Sequence, residues 1–253
     1  MSLVHLIQPQ IIMNTGSPFK YPISQKIFYG DDEFHIKVFN IIESPEKYLI
    51  RRVRIPPNSE ELLLRKLLVA QKAFLELGEF GLLLPKFQII KAWLPKDREP
   101  SFMILTEIIK GYSLPMLEVI EKNQQEVHNT ITNWLINLIT YTQFKYTQNG
   151  DYPSDLLPHQ FVFGENNEGQ KGVYWVDLDP ITELLNHDIY GSIEIFLERY
   201  LGFIVIRILD FEQRTSLTLT QAREHLETFF QVLETNSEYK ELVQLHKGYL
   251  SKG

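Results

Sequence analysis

Alternation of apolar and polar residues near the start of the chain predicts three consecutive strands. Residues 26–29, 34–39 and 47–54 alternate, and breaks at Gly30 and at Ser44-Pro45 separate the three segments. A period of two is typical of strands with one buried face, and short breaks of this kind join antiparallel neighbours. We therefore expect an antiparallel sheet early in the fold.

The next segment changes to a helical period. Asn58 and Glu61 have the spacing of a capping box, which predicts a helix over residues 59–77 that Gly78 would end. Its apolar stripe consists of Leu63, Leu64, Leu67, Leu68, Phe74 and Leu75. Gln71 falls inside that stripe, so this helix is expected to turn one polar side chain towards the core.

Two more strands and a long helical region follow. Residues 87–90 and 102–106 have strand patterns, with a polar, proline-containing hairpin between them. From about residue 113 the pattern is helical, apart from a short hairpin over 161–163 and 173–176. The spacing of four apolar residues is the clearest helical signal: Ile131, Trp134, Leu135 and Leu138.

This order of elements predicts an α+β protein with two lobes. Residues 1–107 would form a strand-rich lobe, with a five-stranded antiparallel sheet, one helix and an N-terminal extension over residues 1–21. Residues 108–253 would form a larger, mainly helical lobe. A chain of 253 residues is long enough to bury a core in each.

The composition excludes several classes of site and partner. The chain has no cysteine, which excludes disulfides, thiolate metal sites and a cysteine nucleophile. Lys and Arg number 25 against 32 Asp and Glu, a net charge of −7, which argues against a nucleic-acid partner. Neither a signal peptide nor an apolar run of membrane-spanning length is evident, so we expect a cytoplasmic location and no membrane span.

Two acidic residues in the second half stand at the ends of the predicted hairpin. Asp155 is followed five residues later by Gln160 and then by an apolar strand, and Asp177 directly follows the apolar segment Tyr174-Trp175-Val176. Aspartates often cap turns at strand ends, and either acid alone would be explained in that way. Both acids together, in step with the order of elements, suggest a functional site.

On these motifs and on the element order, the chain resembles the protein-kinase-like fold. The resemblance covers about residues 22–210 and is closest to the small-molecule branch, the aminoglycoside and choline phosphotransferases. It implies a phosphotransferase that uses ATP and Mg²⁺. Asp155 would then be the catalytic residue that accepts the proton of a substrate hydroxyl, and Asp177 and Gln160 would hold the metal.

The resemblance also implies a nucleotide site in the first half. Arg51, in the third strand, matches the position of a phosphate-binding cation, and the segment from Leu105 to Leu114 matches the hinge between the lobes. The implied nucleotide-binding residues are Gly30 in the phosphate-covering loop, Arg51, Gln71 near that cation, and Thr106, Glu107 and Ile109 at the hinge.

Several positions depart from the family pattern. Gly30 is a single glycine followed by three acids, Gln71 stands where a glutamate is usual, and Gln160 replaces an asparagine. Pro153, two residues before Asp155, stands where the family's catalytic loop has a histidine. Three functions therefore stay open. The first is an enzyme acting on a nucleotide and the hydroxyl of a small-molecule acceptor. The second is a catalytically impaired pseudokinase that binds or scaffolds a protein partner, and a third, weaker alternative is an interaction protein whose likeness to kinases is accidental.

Overall fold

The computed structural model describes residues 10–14, 27–29, 35–38, 48–53, 72–92, 101–114, 124–148, 156–176 and 193–252. The chain divides into two compact units. The first comprises Met1–Gln71, Pro85–Lys110 and Glu165–Lys171, and the second comprises Lys72–Leu84, Gly111–Gly164 and Gly172–Gly253. The described elements include both antiparallel sheet and helices, which confirms the α+β class.

The first unit contains a six-stranded antiparallel sheet in place of the five strands expected. The strands are β1 (Gln10–Asn14), β2 (Ile27–Tyr29), β3 (His35–Val38), β4 (Tyr48–Val53), β5 (Phe87–Ala92) and β6 (Ser101–Glu107). Their spatial order is β1-β5-β6-β4-β3-β2. The extra strand is β1, which pairs with β5 and lies within the segment predicted as an extension.

A helix over residues 72–79, here called α1, opens the second unit, and the prediction that Gly78 ends it is wrong. Gly81 has a φ of 71° and is the residue that turns the chain away. The amide of Leu82 donates to the carbonyl of Leu77 at 3.0 Å, and that of Gly81 donates to Gly78 at 2.9 Å. This pair of bonds is a Schellman motif, which requires the left-handed residue after the helix.

The buried face of α1 also differs from the predicted stripe. Phe74 is buried as expected, but Leu75 is 63% exposed and Leu77 is fully buried in its place. Because Phe74 and Leu77 are three residues apart, they lie on one face of the helix. The sequence pattern had assigned Leu75 to the wrong side.

Contacts with the next helix, α2 (Gln124–Gln148), hold α1 in position. Lys145 and Glu76 form an ion pair at 2.7 Å with the lysine side chain only 7% exposed. Phe80 packs against Tyr141 and Phe144, with ring centroids 5.7 and 4.9 Å apart. Burial and the negative charge of Glu76 raise the pKa of Tyr141 well above its usual value.

A three-stranded sheet forms around the predicted hairpin. It has the order β7 (Lys110–Ser113), β8 (Phe161–Glu165) and β9 (Lys171–Trp175). Strand β7 was not predicted. The chain after α1 also joins β9, because the Trp175 amide donates to the carbonyl of Leu83 at 2.9 Å.

Among the described residues, the second unit also contains the helices α3 (Ile193–Thr215), α4 (Thr220–Glu234) and α5 (Lys240–Leu250). Their core includes the fully buried residues Leu197, Ile204, Ile208, Leu226, Phe229, Phe230 and Val243. The apolar run from residue 203 to 209 is largely buried in α3, although Ile206 is 55% exposed. Over the described residues, none of the helices has the length and apolar character needed to cross a membrane.

Candidate functional site

The described part of the chain includes some of the predicted site residues. Predicted positions outside it are Gly30, Gln71, Asp155 and Asp177. Their roles stay predictions. Those inside it are Arg51, Thr106, Glu107, Ile109 and Gln160.

The strand register relates Arg51 to the predicted hinge. Arg51 in β4 pairs with Ile104 in β6, and Leu49, two residues earlier, pairs with Thr106. Directly paired positions and positions two apart share a face of a sheet. Positions 51 and 106 therefore belong to the same face of the first unit's sheet.

The predicted hinge begins where β6 ends. Thr106 and Glu107 are the last residues of this strand, and both are buried. Ile109 is half-buried and lies in the two-residue segment between β6 and β7. The amide of Glu107 donates to the carbonyl of Lys86 at 2.8 Å, which fixes the end of β6 beside the start of β5.

The side chain of Glu107 holds two backbone amides. The residue is 4% exposed. One carboxylate oxygen accepts from the amide of Lys86 at 3.1 Å, and the other accepts from the amide of Asn167 at 2.8 Å. Burying a carboxylate costs free energy unless its oxygens accept hydrogen bonds. The two backbone amides give each oxygen of Glu107 one such bond. The Lys86 ammonium forms an ion pair with Glu168.

The tip of the β8–β9 hairpin, residues 165–171, is an ordered turn built around Asn166. This side chain is 8% exposed, and its oxygen accepts from the amides of Glu168 at 3.0 Å and of Gln170 at 2.9 Å. Gly169 has a φ of 82°, a backbone conformation that favours glycine, and its amide donates to the Asn166 carbonyl at 3.1 Å. The turn therefore presents the Asn167 amide to Glu107 in a fixed geometry.

Gln160 joins the two segments that carry the acidic motifs. It ends a 3₁₀ turn over Pro158–Gln160 and is 2% exposed. Its side-chain oxygen accepts from the Leu157 amide at 2.9 Å, and its carbonyl accepts from the Val176 amide at 2.8 Å. The side chain thus shapes its own loop, while the backbone ties that loop to the end of the hairpin.

An aromatic cluster supports this end of the hairpin. Phe161 and Trp175 have ring centroids 4.9 Å apart, and Phe161 also packs against Trp134 and Phe203 at 5.2 Å each. Aromatic residues of this kind bury large apolar areas and fix the backbone that carries them. Phe161 and Trp175 directly adjoin Gln160 and Val176, so this packing supports the backbone next to the hydrogen bond between those two residues.

Metal-binding chemistry was assigned to Asp177 and Gln160, and Gln160 is the described member of that pair. In the described ranges there is no cluster of three or more His, Asp or Glu residues that could hold a metal ion. An amide oxygen has two lone pairs, so the bond from Leu157 uses one of the two acceptor directions of Gln160.

Sequence reasoning missed the contacts made by the Glu107 carboxylate. It assigned the backbone near Glu107 to a nucleotide and gave the side chain no role. The sequence Asn166-Asn167-Glu168-Gly169 did indicate a turn. Nothing local indicated that the turn docks on a residue 60 positions earlier in the chain.

Comparison with known proteins adds no assignment. No protein-family model matches the chain, and no curated protein matches it.

Proposed function

We propose that the chain is a phosphotransferase of the protein-kinase-like fold that uses ATP and Mg²⁺ to phosphorylate a hydroxyl of a small molecule. The hydrogen bond between the Val176 amide and the Gln160 carbonyl is the observation that carries the proposal. Asp177 follows Val176 directly in the chain, and Asp155 lies five residues before Gln160. The bond thus joins the two segments whose acids the proposed chemistry requires in one place.

In the proposed reaction, most of the catalysis is positioning and charge stabilisation. Asp155 orients the acceptor hydroxyl and takes up its proton. Asp177 and Gln160 would hold Mg²⁺, which would supply positive charge to offset that of the phosphates. Arg51 steadies the phosphates.

The adenine end of the nucleotide is assigned to the end of β6. Thr106, Glu107 and Ile109 would contact the base, Gly30 would approach the phosphates, and Gln71 would hydrogen-bond Arg51. The shared face of positions 51 and 106 supports this assignment, because a single bound nucleotide needs its phosphate and base contacts on one side of the sheet.

A pseudokinase is the second candidate, and the geometry of Gln160 is the observation that favours it. Its amide oxygen accepts a hydrogen bond from Leu157 and so takes part in shaping its own loop. A metal ligand at this position would have to share that oxygen between the loop amide and the cation. A protein that has lost metal chemistry would keep the loop and use the fold for binding a partner protein.

Turnover separates the two candidates. The full chain is incubated with ATP and Mg²⁺, and release of inorganic phosphate is followed with water as the acceptor. The enzyme proposal predicts slow hydrolysis that Asp155→Asn lowers by at least about 100-fold, a typical contribution of general base catalysis. Glu224→Gln, at an exposed position of α4, is the matched control and should leave the rate unchanged.

Two outcomes would argue against the phosphotransferase proposal. ATP binding without any hydrolysis above that of the Asp155→Asn variant would favour the pseudokinase. Equal hydrolysis by the wild type and by Asp155→Asn would show that another residue or a contaminant carries the activity.

A further inference from the structure

Glu107 is more heavily constrained than a residue at a strand end needs to be. Its carboxylate is buried and accepts backbone amides from two separate segments, at Lys86 and at Asn167. These residues all belong to the first unit. The carboxylate therefore fastens the end of β6 to the start of β5 on one side and to the hairpin tip on the other.

The contacts involve the backbone segment to which adenine binding is assigned. Glu107 ends β6, and the two residues after it lead directly into β7 at Lys110. Glu107 also bonds the Lys86 carbonyl through its own amide, so its backbone and side chain hold the same neighbouring residue. This double attachment leaves residues 106 and 107 little freedom to change conformation.

We propose that Glu107 is a positioning residue, whose buried carboxylate holds the end of β6 and the hairpin tip in the geometry that receives the base of a nucleotide. The inference rests on the proposed function for the identity of the ligand. A binding segment that is already ordered loses less conformational entropy when the ligand binds, and this gain appears as affinity. The carboxylate acts through the backbone that it holds and need not contact the nucleotide.

The chemistry at this position favours a charged acceptor. Both partners of the carboxylate are N–H donors, and an ionised carboxylate offers acceptor oxygens on both sides. A glutamine has the same shape but presents an NH₂ group to one of the two amides. Glu107→Gln therefore removes one of the two attachments while keeping the size of the side chain.

The test measures adenosine and ATP affinities by calorimetry for the wild type and for Glu107→Gln. We expect Glu107→Gln to weaken adenosine and ATP by the same factor, about tenfold. The ratio of ATP affinities with and without Mg²⁺ should stay unchanged, because the proposed metal ligands lie elsewhere. In turnover, KM for ATP should rise while kcat holds.

Two further variants separate positioning from general destabilisation. Glu168→Gln removes the exposed ion pair with Lys86 but leaves both Glu107 bonds, so its adenosine affinity should stay within about twofold of wild type. Asn167→Pro removes the N–H that donates to Glu107, together with the side-chain amide of Asn167. Residue 167 is the second residue of a turn closed by the Gly169 amide and the Asn166 carbonyl, a position that proline favours. This variant should weaken adenosine less than Glu107→Gln, by about threefold.

Hydrogen exchange without nucleotide gives an independent readout. At least one of the two amides that Glu107 holds, those of Lys86 and Asn167, should exchange faster in Glu107→Gln than in the wild type, and the core of α3 should be unaffected. Unchanged exchange at both amides, or adenosine affinity equal to that of the wild type, would overturn the positioning role while the proposed function stands. A wild-type protein that binds neither adenosine nor ATP would overturn both.

Discussion

Replacing Glu76 or Lys145 alone should cost far more stability than replacing both together. The Lys145 side chain is 7% exposed and that of Glu76 is 19% exposed, with 2.7 Å between the charged atoms. Removing one partner of a buried ion pair typically costs about 3–5 kcal/mol, because the other charge remains buried without compensation. An apolar pair of similar volume avoids this penalty.

The exposures give the expected order of the two single substitutions. Glu76→Met leaves the lysine ammonium, which is almost fully enclosed, so we expect the free energy of unfolding to fall by about 3 kcal/mol. Lys145→Met leaves a carboxylate that water reaches more easily, and the expected loss is about 2 kcal/mol. The double variant should lose only about 1 kcal/mol or less, which makes the two effects strongly non-additive.

Urea denaturation followed by tryptophan fluorescence measures these changes, since Trp134 and Trp175 are buried in the same unit as the ion pair. Arg214→Met is the matched control. It removes a pair with Asp210 in which the arginine is 47% exposed, and it should cost less than about 0.5 kcal/mol. Single substitutions that cost as little as this control, or a double variant equal to the sum of the singles, would refute the reasoning.

Three further substitutions test local packing. Burial lowers the pKa of His246 below about 6.5, although Glu198 opposes the shift, and neither ring nitrogen has a hydrogen-bond partner among the described residues. The unfolded chain then binds a proton more readily than the folded one, so wild-type stability should fall as the pH drops below about 6.5. Melting temperatures at pH 7.5 and 5.5 should show a smaller fall in His246→Leu than in the wild type. Gly111→Ala would put a Cβ 2.2 Å from the backbone oxygen of Phe163, so its urea midpoint should drop by the equivalent of about 2 kcal/mol. Gly248 lies in α5, and nothing is within 4 Å of the Cβ that Gly248→Ala would add. Because alanine favours the helix over glycine, the urea midpoint should rise by the equivalent of about 0.5–1 kcal/mol.

The strands were predicted well wherever alternation was the main signal. The five strands predicted between residues 26 and 106 correspond in position to β2 through β6. Strand β1 was missed because Ile11, Ile12 and Met13 are consecutive apolar residues, so no alternation marks the segment. Strand β7 was missed because Tyr112 and its neighbours are exposed, so no alternation of buried residues marks it.

The end of α1 and the side-chain contacts of the candidate site could not be predicted from the sequence. Gly78 and Gly81 are both glycines near the end of α1, and only the backbone conformation shows that Gly81 terminates the helix. The role of Gln160 in its own loop also depends on local hydrogen bonding that residue type alone does not specify. The Glu107 carboxylate was identified by position but not by function, because its partner at Asn167 is distant in sequence.

Mg²⁺-dependent nucleotide binding tests the central proposal most directly. Thermal shift is measured with millimolar ATP, with and without Mg²⁺, on the wild type and on Asp177→Asn. The proposed phosphotransferase predicts that ATP raises the Tm of the wild type more with Mg²⁺ than without it, and that Asp177→Asn abolishes the difference. No shift in the wild type at millimolar nucleotide, or an equal Mg²⁺-dependent shift in Asp177→Asn, would contradict the proposal.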